Sequence, residues 1–307
     1  MKIVFMGTAE FAVPSLRALV KNGFDVAAVV TAPDKPAGRG LKMKTSPVKD
    51  AAVELGLSLL QPEKLKAEEF LKQLREINAD LQVVVAFRML PEVVWSMPEH
   101  GTINLHSSLL PQYRGAAPIN WAIINGEKES GVSTFFLQHE IDTGNIIDQA
   151  RTPIDPEENV GSLYSRLMAM GAELITKTVT SIDNGTARGT VQDETIELKH
   201  APKIFKEDCK IDWGMGLDNL HDFVRGLSPY PVAWTILEGK SMRIFKAHKE
   251  VGISKEKAGT LVKKDKDLKV AVEGGYLVID EVQLQGKKRV KAQEFANGWQ
   301  KENAVLD

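Results

Sequence analysis

The run LQVVVAF, residues 81–87, restricts the fold more than any other part of the chain. It is apolar apart from Gln82. A strand with one wet face alternates apolar and polar residues. A near-continuous apolar run instead marks a central parallel strand covered on both faces. The surrounding sequence agrees. Lys2 to Met6 is a short apolar run ending at Gly7-Thr8, and a helical pattern follows with Pro14 in its first turn and Leu16, Leu19 and Val20 on one face. DVAAVVT, Leu57–Leu60, GTINLH and GVSTFFLQ read as further strands, and Lys49–Leu55, Ala67–Ile77 and Gly161–Lys177 as helices. Strand–helix alternation of this kind predicts an α/β fold, an open and mostly parallel Rossmann-like sheet with helices on both faces. Ligands in such folds bind beyond the carboxyl ends of the strands.

A chain of 307 residues exceeds what one core usually fills, so two domains are expected. After Asn184 the segment NGTARGTVQDETIELKHAP is poor in large apolar residues and rich in turn formers. The division expected is an N-terminal domain over 1–184, a linker over 185–204 and a C-terminal domain over 205–307. In the last of these, AWTILEG, SMRIFKAH, GTLVKK, LKVAVEGG and YLVIDEVQL are short β patterns separated by glycine turns. That spacing predicts a small β-barrel.

The net charge of -2 gives no overall sign of nucleic-acid binding, so any such contact requires a local basic patch. Cys209 is the single cysteine and cannot form an internal disulfide. MKIVFMGTAEF reads as a first strand and its turn, not a signal peptide. No apolar run approaches the length of a membrane span. A cytoplasmic protein with no membrane partner is expected. The six histidines show no ligand spacing, so no metal is expected.

The chemistry-bearing residues cluster in two places. In GTINLHSSLLPQYRGAAPINWAI, Asn104 and His106 stand two apart at the end of a strand, so they share one face at the sheet edge. An amide and an imidazole there enter one space at the edge where ligands bind; taken alone, they read as a turn cap and a surface or satisfied core histidine. In QHEIDTGNII, Asp142 precedes Thr143-Gly144, a sequence that serves either an Asx turn or a carboxylate held beside His106. A third feature is PDKPAGRGLKMKTSPVK, with Lys35, Arg39, Lys42, Lys44 and Lys49 and no acid after Asp34. It is long for a strand-to-helix connection, which usually runs to about 2–6 residues, and long loops are often functional.

The run SLLPQYRGAAPINWAI, with NLH before it and IDTGNI after it, closely resembles the folate-dependent formyltransferase family. The resemblance extends from MGTAEF through QDETI into the C-terminal region. It implies an active-site trio of Asn104, His106 and Asp142. It implies 10-formyltetrahydrofolate as co-substrate, with the pterin against Ala86, Phe87, Arg88, Met89 and Leu90. The other walls of the folate pocket would be Ser108, Leu109, Leu110 and Pro111, and His139, Glu140 and Ile141, with His139 a loop residue and not a metal ligand. Most members carry a Tyr-Gly-like pair after the alanine, where this chain has Phe87-Arg88. Members that act on methionyl-tRNA carry a similar AGRG…SPVK insertion at the acceptor end of the tRNA, and small-molecule members are expected to lack it. The implied partners are therefore initiator methionyl-tRNA and a reduced folate, engaged by a monomer. Arg39, Lys35, Lys42 and Lys44 would face the RNA, together with Lys287, Lys288 and Arg289 on an OB-like C-terminal barrel. The trio alone does not separate this acceptor from an amino sugar, a glycinamide ribonucleotide or simple hydrolysis of the donor. A nucleotide-binding protein without catalysis is a further alternative, but MGTAEF lacks the full G-x-G-x-x-G.

Overall fold

A computed structural model describes residues 1–37 and 42–307. Lys2–Gly7 (β1), Asp25–Val30 (β2), Leu59–Leu60, Leu81–Val85 and Thr102–His106 form parallel neighbours in one sheet. Between β2 and Leu59 lies a small antiparallel hairpin, Lys35–Ala37 (β3) with Lys42–Lys44 (β4). The later strands are therefore β5 (Leu59–Leu60), β6 (Leu81–Val85) and β7 (Thr102–His106). Arg114–Gly115 is β8, and Glu129–Phe136 (β9) and Ile146–Pro153 (β10) complete the sheet in the order β10-β9-β7-β6-β1-β2-β5. β9 runs antiparallel to β7, so the sheet is mostly but not wholly parallel.

Every residue of β6 is buried. Val4, Met6, Ala28, Val30 and Val84 on one face share a core with Phe70, Leu71 and Leu74 of a helix at Glu68–Ile77 and Val94 of a short one at Glu92–Trp95. Ile3, Phe5, Val29, Val83 and Val85 alternate to the opposite face and are fully buried as well. Two-sided burial explains why these strands read as unbroken apolar runs.

The chain divides into two compact units, and not at a single break. The first takes 1–115, 131–152 and 164–200; the second takes 116–130, 153–163 and 201–307. The segment expected as a linker, 185–204, thus runs with the first unit as far as His200. It is held by polar contacts that leave no hydrophobic signature: Ile146 and Thr190 exchange backbone hydrogen bonds at 2.8 Å.

In the second unit, Ala233–Leu237, Lys240–Val251, Gly275–Leu284, Asp267–Val272, Thr260–Lys264 and Asn303–Val305 follow one another in an antiparallel sheet. Its ends meet where Ile236 and Asp307 exchange backbone hydrogen bonds at 3.0 and 3.1 Å, so it closes as the small barrel its sequence predicts. Two helices there were not evident from the strand-dominated sequence. Leu217–Leu227 buries Leu217, Leu220, Val224 and Leu227, and it packs against Pro118–Ile124, where Asn120 Nδ2 donates to the Gly226 carbonyl at 2.8 Å. The helix Pro118–Ile124 belongs to this unit because Ile124 packs on the barrel core.

Candidate active site

The carboxyl ends of β6 and β7 lie side by side, with Val84 opposite Asn104 and Val85 opposite Leu105. On its other side β7 pairs with β9, Asn104 opposite Phe135 and His106 opposite Ser133. Asn104 and His106 leave β7 on one face. His106 is 6% exposed. Its Nε2 lies 2.9 Å from the carbonyl of Tyr113, an acceptor only, so Nε2 carries a proton. Nδ1 is left facing Asp142, 3.8 Å from Oδ2. Asn104 is half-buried, and among the described residues its side chain makes no hydrogen bond, which leaves the amide open to a ligand.

Residues 107–115 wrap round this edge on buried hydroxyls. Ser133 Oγ donates to the Ser108 carbonyl at 2.7 Å and accepts from the Leu110 N–H at 3.1 Å. Ser108 Oγ donates to the Gln112 carbonyl at 2.7 Å. The Leu110–Pro111 peptide is cis. The Tyr113 N–H donates to the Lys199 carbonyl at 2.6 Å. Gly115 N–H donates to Asp142 Oδ2 at 3.0 Å. One short segment therefore holds both members of the imidazole–carboxylate pair.

Three residues at this edge, Ala86, Tyr113 and Asp142, have left-handed backbone, with φ of 46°, 61° and 57°. For residues with a Cβ such geometry costs about 1–3 kcal/mol each and persists only where the surroundings impose it. Gly144 shows how tightly the Asp142 turn is packed. A Cβ there would stand 1.6 Å from the Phe136 carbonyl oxygen. Two residues that sequence reasoning did not single out, Arg114 and Gln192, also belong to this edge. Gln192 Nε2 donates to the carbonyls of Asp142 and Gly144, and Arg114 bonds to Gln192 and pairs with Glu194 at 2.9 Å. Their only sequence signal was membership of the LLPQYRG and QDETI runs.

The expected folate residues separate into two groups. Arg88, Met89, Leu90 and His139 come together in an open cavity of about 1090 Å³, completed by Lys64–Lys66 and the start of the helix at Glu92. Met89 is 74% exposed there, while Leu90 is mostly core. The Arg88 guanidinium donates to the carbonyls of Pro62 and Glu63 and lies over the Phe87 ring, so it braces this wall; desolvation lowers its pKa from the ordinary arginine value. His139 and Glu140 also line a smaller cavity of about 390 Å³ with Thr143 and Gln192. Ile141 is exposed and Ala86 caps the end of β6. Ser108 and Leu110 are buried, with the Ser108 hydroxyl already committed, and Leu109 and Pro111 are half-buried beside them. Neither cavity is lined by Asn104, His106 or Asp142. Among the described residues no group of His, Cys, Asp and Glu is arranged to hold a metal ion, and no helix is long and apolar enough to cross a membrane.

Lys35 and Lys44 face each other across the β3–β4 hairpin and are exposed. Arg39 lies outside the described residues, and Lys42 is described only as backbone. Lys49 is an anchor: its Nζ pairs with Asp34 at 2.5 Å, and Gln61 adds a second bond to that carboxylate at 2.9 Å. In the C-terminal unit Lys287 and Lys288 are exposed. Arg289 differs, since it pairs with Glu281 and lies 4.3 Å over the Phe245 ring.

A family profile described as formyl transferase matches residues 1–179, and one described as formyl transferase, C-terminal domain, matches 203–300. A methionyl-tRNA formyltransferase of Bacteroides thetaiotaomicron is 54% identical over 97% of this chain and 96% of its own length. One from Flavobacterium johnsoniae is 49% identical with the same coverage of both. Among solved structures, the sugar 3N-formyl transferase WlaRD, determined in the presence of dTDP and 5-N-formyl-THF, superposes with a TM-score of 0.67 over 94% of this chain and 99% of that one, at 21% identity. HypX from Aquifex aeolicus in complex with tetrahydrofolic acid gives 0.64 at 19% identity, and this chain matches 46% of it. These two likenesses bear on the fold alone. With both profiles matched and relatives of that name at about half identity along its length, the chain belongs to the methionyl-tRNA formyltransferase family.

Proposed function

We propose that the protein transfers the formyl group of 10-formyltetrahydrofolate to the α-amino group of methionine on initiator methionyl-tRNA, acting as a monomer in the cytosol. The observation that carries the chemistry is the pairing of His106 Nδ1 with Asp142 at 3.8 Å, beside an Asn104 amide with no hydrogen bond among the described residues. The acceptor amine attacks the formyl carbon, and negative charge collects on the formyl oxygen. Asn104 N–H and a protonated His106 Nδ1 are the donors for that oxygen. Collapse breaks the bond from carbon to N10 of the folate, the electron pair returns to N10, and N10 gains a proton while the amine loses one. Asp142 sets the charge state of His106 and relays the proton. Because Nε2 is committed to Tyr113, the histidine acts through Nδ1 only.

The folate is read by the wall from Ala86 to Leu90, with 138–142 opposite, supported by the cavity that joins Arg88–Leu90 to His139. The RNA is met by Lys35, Arg39, Lys42 and Lys44, and by Lys287, Lys288 and Arg289, the guanidinium of Arg39 being suited to phosphate or to stacking on a base.

The test supplies purified protein and 10-formyltetrahydrofolate with one acceptor at a time: methionyl-tRNA, uncharged tRNA, an amino-sugar nucleotide or glycinamide ribonucleotide. Formylation of methionyl-tRNA alone is expected. Transfer to a small amine instead overturns the acceptor and keeps the trio. Folate binding with no transfer to any acceptor overturns both.

A further inference from the structure

Gln192 lies in a segment without regular secondary structure, yet it is only 5% exposed. Nε2 donates to the carbonyls of Asp142 and Gly144, each at 2.8 Å. Oε1 accepts from Nε and Nη2 of Arg114 at 3.1 and 2.8 Å. A glutamine amide has two N–H donors and two lone pairs, and all four are matched here. The partners also fix which end is which. A flipped amide would turn its oxygen on two carbonyls and its NH₂ on a cation.

These bonds complete a ring. Arg114 is flanked in the chain by Tyr113, whose carbonyl accepts from His106, and by Gly115, whose N–H donates to Asp142. Gln192 joins the Arg114 side chain back to the carbonyls of the Asp142 turn. Asp142 occupies left-handed backbone, which relaxes unless held. The ring supplies that restraint. Its partner-rich amide lies outside the trio and touches neither reacting group.

We propose that Gln192 is a positioning residue for formyl transfer: with Arg114 it clamps the Asp142–Gly144 turn to the Tyr113–Gly115 segment and so sets the separation of Asp142 from His106. The proposal rests on the reading that Asp142 and His106 carry the proton chemistry. A misplacement of about 1 Å at such a pair costs about 10²-fold in rate.

The experiment is a double-mutant cycle between Gln192→Leu and Asp142→Asn, read as kcat and as KM for each substrate, with thermal unfolding as the control. Gln192→Leu is expected to lower kcat about 10²-fold while KM for either substrate stays within a few-fold. In the Asp142→Asn background it is expected to cost little more, because residues acting as a unit are non-additive. Gln192→Glu keeps the acceptor for Arg114 and removes both donors, so it carries the test should the leucine variant not fold, and the same loss of kcat is expected. Unchanged kcat in a folded variant overturns the clamp. So do fully additive losses, which would assign Gln192 to general stability. An Asp142→Asn enzyme of full activity overturns the proposal differently, because the trio reading itself then falls.

Discussion

The edge of the parallel sheet and the basic surfaces use their polar groups in opposite ways. At the edge, His106, Ser108, Ser133 and Gln192 are buried and each has a named partner, and the turn carrying Asp142 is held in left-handed backbone. Lys35 and Lys44 on the β3–β4 hairpin, and Lys287 and Lys288, stand in solvent. The difference fits the two tasks proposed for these regions. Stabilising a developing charge requires donors within tenths of an ångström of one position, in a site shielded from water. Neutralising phosphates requires only charge at roughly the right distance, which a flexible lysine supplies.

The largest effect that would sharpen this contrast is at the edge. Asn104→Ala and His106→Ala are each expected to lower kcat about 10²–10³-fold, the usual cost of one lost oxyanion donor. Equilibrium binding of the folate, followed by fluorescence, should be nearly unchanged. Loss of binding together with turnover would move these residues from the chemistry to the pocket. Gly144→Ala comes next. Its Cβ has no room against the Phe136 carbonyl, so the turn must shift. Overpacking of this kind costs about 1–3 kcal/mol, and a lower unfolding midpoint together with a lower kcat is the expected outcome.

Cations on the other side of the comparison should yield smaller, graded losses. Lys35→Ala, Lys44→Ala, Lys287→Ala and Lys288→Ala are each expected to raise KM for tRNA a few-fold and leave kcat alone. Each lost phosphate contact should reduce the slope of log affinity against log salt by about 0.7–0.9. Arg289→Ala breaks the pattern in an informative way. Its guanidinium is already engaged by Glu281 and Phe245, so stability should fall as well, by at most about 1–2 kcal/mol. A kcat effect from any of these five would mean that the exposed cations reach into the chemistry.

The sequence made one of these regions far more legible than the other, and for a physical reason. Two-sided burial writes itself as LQVVVAF, and the β spacing of Asn104 and His106 was enough to put them on one face. The barrel strands were legible from alternation and glycine turns. Polar restraint leaves no such periodicity. Residues 185–204 read as a linker because they carry few large apolar side chains, yet Gln192 and Thr190 hold the stretch as far as His200 to the first unit by hydrogen bonds. The basic loop hid its hairpin because Lys35-Pro36-Ala37 and Lys42-Met43-Lys44 have no strand signature. The helix Leu217–Leu227 is hard to read from sequence although Leu217, Leu220, Val224 and Leu227 carry helical spacing, because strand patterns dominate the rest of the C-terminal unit.

The smallest expected effect lies where the two regions' styles meet, at the root of the hairpin. Asp34 is exposed enough to reach water, yet it is held as firmly as the edge residues. Hydrogen bonding from Lys49, and then from Gln61, keeps its carboxyl below the usual aspartate range against the opposing cost of desolvation. A carboxyl depressed in the folded state stabilises above its unfolded-state value and loses that contribution as pH falls through the folded value. Asp34→Asn should therefore be slightly less stable than the parent at neutral pH, measured by urea midpoint, and should converge with it below about pH 4. Convergence identifies Asp34 as the acid-labile anchor of the hairpin. A gap that persists unchanged in acid would show instead that the asparagine disturbs the Gln61 bond or the local packing, and that the charge pairing with Lys49 contributes nothing measurable, as is the case for many surface ion pairs.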